Sequence, residues 1–180
     1  MCASFMILQD GLIPGDEMID KRKQVFGLMV WLALTFIAAA IGSAASISAQ
    51  SFYAQITQPS WAPPGYVFGP VWTVLYTLMG LSAWLVWRVD GFKSAQTALT
   101  LFLVQLAFNA LWSWLFFVWN LGLLSFIEIL LLLALILATV ISFWRITPLA
   151  GALLIPYLLW VIFAAFLNHS LWRLNPHILG

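Results

Sequence analysis

QPSWAPPGYVFGPVWTVLYTLMG, residues Gln58 to Gly80, changes character along its length. Pro59, Trp61, Pro63, Pro64, Pro70 and Trp72 crowd its front, and no charge follows until Arg88. Proline fixes φ and restrains the residue before it, so the front reads as a stiff connector. The rest is an apolar run of helical length, with Pro70 tolerated in a first turn. A polar turn would be the ordinary introduction to a membrane-spanning helix; this one is aromatic and uncharged.

Working outward, the composition makes the whole chain a membrane protein. Of 180 residues, 64% are hydrophobic and 7% charged, with a mean hydropathy of +1.03. Soluble domains carry about 25% charged residues, so this surface does not mainly face water. A net charge of +1 excludes a nucleic-acid binder, which needs a basic stripe against phosphates. The single cysteine, Cys2, forms no internal disulfide.

A bilayer core about 30 Å thick needs roughly 20 apolar residues per helix. Five runs qualify: Val25–Ala49, Val67–Trp87, Ala95–Trp119, Leu121–Trp144 and Pro148–Leu171. They are continuously apolar rather than alternating, which disfavours strands. The expected fold is therefore all-α, a five-helix bundle over residues 25–175, with tails at 1–24 and 176–180. Short connectors make neighbours antiparallel; Gln50–Tyr66 is the long exception. Lys21, Arg22, Lys23, Arg88, Lys93 and Arg145 fall on one side and only Arg173 on the other. The positive-inside rule then places the amino terminus in the cytoplasm and the long connector on the opposite face.

The start needs separate treatment. Lys21–Gln50 has the layout of a secretory signal, but its apolar stretch is long for that role. Ala38, Gly42 and Ser46 instead form a small-residue stripe suited to helix packing, within the bundle or at a dimer surface. Met1–Ile19 is acidic and unpatterned and is expected to be a disordered tail, with Met18 an alternative start.

Polar side chains inside a bilayer are costly and therefore informative. Gln105, Asn109, Trp112, Ser113 and Phe116 recur every three or four residues and share one face of the third span. Tyr157, Trp160, Ala164 and Asn168 do so in the fifth span, and Phe68, Trp72, Tyr76 and Met79 in the second. At 1.5 Å per residue, Trp72 lies roughly 8 Å below the connector side, Trp112 and Ala164 roughly 10 Å and Asn109 roughly 15 Å. Three helices thus aim indole and amide groups at the half of the bundle beneath the connector. The connector alone admits an interfacial reading, with rings at the headgroups. The convergence favours a small-molecule pocket under a lid. Glu128 reads as a structural acid, since no second acid, lysine or histidine completes a relay. His169 and His177 lack further metal ligands. No Ser-His-Asp set, phosphate loop or carboxylate pair supports a hydrolase or a kinase.

Taken in order, W-x-P-P (Trp61–Pro64), P-x-W-T-x-L-Y (Pro70–Tyr76), N-x-x-W (Asn109–Trp112) and P-Y-x-x-W (Pro156–Trp160) are specific together. With their flanks they resemble the translocator protein family, also called tryptophan-rich sensory protein or peripheral-type benzodiazepine receptor (TspO/MBR), over Val25 to Asn175. The resemblance implies a five-helix bundle, commonly a homodimer in the lipid bilayer, with a cavity closed by the first connector. Its ligands would be porphyrins such as protoporphyrin IX and haem, sterols, and benzodiazepine-type compounds, with no obligatory cofactor. Carried over by motif, the pocket comprises Tyr53, Trp61, Pro63, Trp72, Asn109, Trp112, Ala164 and Leu167; the helical stripes add Tyr76 and Trp160. The family's sterol pattern is matched by Leu167 and Arg173 but has His169 where a tyrosine is expected, so a porphyrin is favoured. The implied role is tetrapyrrole homeostasis and stress sensing, with light-dependent porphyrin degradation; a transporter or a non-catalytic sensor or scaffold are the alternatives. Family members occupy bacterial envelopes and organelle outer membranes. The lack of a transit signature favours the bacterial envelope.

Overall fold

A computed structural model describes residues 21–180 apart from Ser48, leaving aside the side chains of Gln50 and Asp90. The expectation of a disordered tail, up to residue 20, lies outside the described residues. Those residues form helices α1 (Lys21–Ala45), α2 (Ala49–Gln55), α3 (Phe68–Ser94), α4 (Gln96–Ser113), α5 (Gly122–Ile146), α6 (Pro148–Leu174) and α7 (Pro176–Leu179). A 3₁₀ turn, Gly65–Val67, precedes α3, and a π-helical segment, Trp114–Val118, follows α4. Among the described residues there is no strand.

Five helical stretches are long and apolar enough to cross a membrane: Lys21–Ala45, Gly65–Val89, Gln96–Val118, Gly122–Ile146 and Pro148–Leu174. The chain is thus an integral membrane protein and the five-helix bundle is observed. The first span is displaced from its expected place. It begins at Lys21, because nothing in KRKQ breaks a helix, and stops at Ala45, where the Ser43 and Ser46 hydroxyls bond back to the carbonyls of Ala40 and Gly42. Ala49 instead starts α2, a helix inside the presumed loop.

Local chemistry sets the other ends. Gly91, with φ 69° and ψ −172°, breaks α3 where a residue bearing a β-carbon would be strained. The third span closes on a wide turn, the Trp119 N–H reaching the Trp114 carbonyl at 3.0 Å. Asn120 then takes φ 53°, a conformation asparagine tolerates, and Leu121 N–H bonds the Leu115 carbonyl at 2.9 Å. Pro148 opens α6 behind an extended Thr147. Pro156 lies inside α6, which continues through it.

The spanning helices form a ring. α1 packs on α3, α3 on α6, α6 on α5, α5 on α4, and α4 back on α1. The main core joins Trp31, Met79, Val86, Leu99, Phe102, Ile136, Phe143, Leu154 and Tyr157. A second, smaller core gathers Tyr53 and Ile56 with Phe116, Leu167, Leu171 and Leu179. Leu179 belongs to α7, so residues 176–180, expected as a tail, fold back as a helical turn because that leucine finds an apolar seat.

Candidate functional site: a chamber beneath the connector

Between the two cores lies a chamber of ≈ 670 Å³. It falls within the ~300–1,000 Å³ of small-molecule sites. Its walls come from five elements. α3 and its leading turn supply Gly65, Tyr66, Phe68, Gly69, Trp72, Thr73 and Tyr76; α4 and the π-segment supply Asn109, Trp112, Ser113, Phe116 and Phe117. α6 supplies Trp160, Ala164, Leu167, Asn168 and Leu171, α1 and the turn after it Phe36, Ala39, Ala40, Gly42, Ser43 and Ser46, and α2 Ala49 and Tyr53.

The floor is a directed chain of hydrogen bonds. The Tyr76 hydroxyl donates to Asn109 Oδ1, Asn109 Nδ2 donates to the Tyr157 hydroxyl at 3.1 Å, and that hydroxyl donates to Gln105 Oε1 at 2.9 Å. All four residues are buried. A buried amide that fails to find partners costs ~1–3 kcal/mol, so the chain holds Asn109 in one orientation. Higher up, the Trp112 indole donates to Asn168 Oδ1 at 2.9 Å, while Asn168 Nδ2 reaches the Gly122 carbonyl at 3.3 Å. Trp112 is thereby pinned, its ring stacked on Phe116 at 5.3 Å. The Trp160 indole N–H, by contrast, has no partner among the described residues. Trp72 leans on Tyr76 at 5.6 Å and edge-on to Tyr157 at 6.2 Å.

The roof is the connector. Tyr53 meets Phe68 edge-on at 5.7 Å and donates its hydroxyl to the Pro63 carbonyl at 3.3 Å, so the two ends of the connector are tied. Burial pushes the Tyr53 phenol above its ordinary value. Phe52 meets Phe116 and Phe117 edge-on, each at 6.1 Å.

Of the ten pocket residues expected from sequence, Tyr53, Trp72, Tyr76, Asn109, Trp112, Trp160, Ala164 and Leu167 line this chamber. Trp61 and Pro63 are not among its lining residues. The turn closed by Ala62 N–H and the Pro59 carbonyl leaves Trp61 49% exposed and edge-on to Phe163 at 5.9 Å. Pro63 contributes through its carbonyl alone. In the sterol-like pattern Leu167 faces the chamber, whereas His169 and Arg173 are exposed, His169 lying 5.1 Å from the Phe126 ring. Glu128 is buried on α5 but is not among the lining residues, and neither oxygen has a partner among the described residues. No group of metal-ligating side chains occurs among the described residues.

Sequence reading missed the α1 wall. Ala39, Ala40, Gly42 and Ser43 line the chamber, and Gly42 also packs against Ser113, whose Oγ would lie 3.3 Å from an added β-carbon. The small-residue stripe was visible, but its intra-bundle partner and its open side were not.

Comparison with known proteins agrees with this architecture. The profile of the TspO/MBR family matches residues 29–173. The chain is 35% identical to the tryptophan-rich protein TspO of Chlorobaculum tepidum over 157 residues, covering 86% of this chain and 99% of that one. It is 40% identical to the human translocator protein over 126 residues, covering 69% and 75% respectively. Against protein CrtK of Rhodobacter capsulatus it is 37% identical over 150 residues, covering 80% and 92%.

Proposed function

The chain belongs to the TspO/MBR family, and from that premise we propose that it is a membrane-embedded binding protein for flat, largely apolar macrocycles, namely porphyrins such as protoporphyrin IX and haem. The observation that carries this reading is the chamber's asymmetry: aromatic walls above an oriented amide floor. A macrocycle stacks on the rings of Trp72, Trp112 and Trp160, each aromatic pair adding about 0.5–1.5 kcal/mol beyond area burial. Its polar edge meets Asn109 and Tyr76. Tyr76 has already given its hydrogen to Asn109 and so offers lone pairs.

The same walls support a role in tetrapyrrole homeostasis with light-dependent porphyrin loss. An excited porphyrin accepts an electron from an adjacent indole, and three indoles line the chamber. The sterol-like pattern contributes only Leu167 to this chamber, His169 and Arg173 being exposed, which favours the porphyrin reading.

Quenching of tryptophan fluorescence by protoporphyrin IX in detergent tests the reading. Saturable quenching at micromolar ligand, weakened by Asn109→Leu and by Trp72→Phe, is expected. Linear, unsaturable quenching unaffected by both substitutions overturns it.

A further inference from the structure

Asn175 closes α6 at φ −128° and ψ 55°, and its side-chain amide is fully engaged. Oδ1 accepts the Thr57 N–H at 2.8 Å, while Nδ2 donates to the Thr57 carbonyl at 2.9 Å and to the Leu171 carbonyl at 2.8 Å. One carboxamide thus satisfies both backbone groups of a single connector residue, as a neighbouring strand would. Asn175 is 7% exposed, so the bond to Leu171 is buried, while the pair to the exposed Thr57 is part-buried.

The backbone of Asn175 is used as well. Its N–H bonds the carbonyls of Leu171 and Trp172, and its carbonyl accepts the N–H groups of Ile178 and Leu179 to start α7. That turn presses Leu179 onto Gly122, where an added β-carbon would lie 2.5 Å from the Leu179 carbonyl oxygen. Leu179 in turn shares the small core with Tyr53 and Ile56 of the connector. The Tyr53–Pro63 and Gln58–Tyr53 bonds are internal to the connector; the Thr57 pair reaches across to the end of α6.

We propose that Asn175 is the positioning residue of the chamber's lid. It clasps Thr57, holds the Ala49–Pro64 connector over the chamber, and so sets the rate at which a bound macrocycle leaves. The proposal rests on the binding reading above for its ligand, but not for its clasp. Asparagine is suited to the task because it carries a donor and an acceptor on one methylene. Aspartate has the same shape and only acceptors, and would face two carbonyls. Asn175→Asp therefore keeps the packing and an acceptor for the Thr57 N–H, but turns both donated bonds into repulsion between a carboxylate and the carbonyls of Thr57 and Leu171.

The test uses the full chain in detergent with two readouts. One is hydrogen–deuterium exchange at the Thr57 amide; the other is the dissociation rate of protoporphyrin IX. Loss of two hydrogen bonds in Asn175→Asp and three in Asn175→Ala should speed both by roughly tenfold or more, with the melting of the spanning bundle unchanged. Unchanged exchange in Asn175→Asp overturns the clasp. Faster exchange with wild-type dissociation overturns the control of release. Should Asn175→Ala be impaired and Asn175→Asp silent, the residue merely fills space and the proposal fails. If the wild type does not bind protoporphyrin IX, the binding reading fails, and the exchange arm alone decides the clasp.

Discussion

The two halves of the bundle use the same kinds of residue to opposite ends. In the half that carries the basic termini, Gly27, Gly80 and Gly151 each lie beneath a large residue. An added β-carbon at Gly80 would lie 2.8 Å from Leu32 Cδ2 and 3.2 Å from its Cα, and one at Gly27 would lie 2.1 Å from Trp87 Cζ3. The Ser82 hydroxyl sits close enough to α6 to donate to the Ala150 carbonyl at 2.7 Å. Phe102 stacks on Phe143 at 5.8 Å and meets Trp31 edge-on at 5.9 Å. In the half beneath the connector, the small residues of α1 have no such large partner on α3. Gly69 has nothing within 4 Å of its would-be β-carbon, and the space left over is the chamber. A small residue closes two helices together when its neighbour has bulk to insert. When both neighbours are small, or both are braced by aromatic rings, it leaves a cavity.

Substitutions can break this contrast or sharpen it. The largest effect belongs to the packed half. Phe102→Ala should cost about 3–5 kcal/mol of stability, read from denaturant unfolding in detergent, because its neighbours are already held by other contacts. A paired substitution comes next. Gly80→Leu should destabilise by about 1–3 kcal/mol through overpacking against Leu32 and Thr35. Gly69→Leu, entering open space, should stay within about 0.5 kcal/mol in the same assay. Equal costs at both glycines would show that the halves are not packed differently.

The chamber should respond in binding rather than in folding. Asn109→Leu interrupts the chain from Tyr76 to Gln105 and should weaken protoporphyrin IX binding about tenfold, on the order of 1.4 kcal/mol, in a fluorescence titration. The smallest effect separates wall from lid surface. Trp72→Phe should slow the loss of protoporphyrin IX absorbance under illumination by a few-fold, since one of three lining indoles is removed. Trp61→Phe, outside the lining, should leave that rate unchanged.

The places where sequence reading failed share a cause. AQSFYAQ has no helical signature of its own, yet it forms α2 because Tyr53 and Ile56 have a core to enter. PHILG reads as a frayed end until Leu179 meets Gly122. Trp61 carries the same motif weight as Trp72, but a turn four residues long sends it outward. The α1 wall went unrecognised because a stripe of alanine, glycine and serine looks the same whether it packs or gapes.

The sequence by itself determined that the chain spans a membrane five times and which faces of three helices carry the indoles and amides. Length, hydropathy and a 3.6-residue period are local properties, and a continuously apolar segment in a bilayer satisfies its own backbone groups as a helix. The family motifs, read in order, belong to the same local record. Only the tertiary structure decided that Tyr76, Asn109, Tyr157 and Gln105 join into one chain, that α1 leaves room beside Gly69, and that Asn175 holds Thr57. Each of these depends on which residue stands opposite across a helix interface or a long stretch of chain. Side-chain size and hydrogen-bonding capacity acquire their meaning there only once the neighbour is in place.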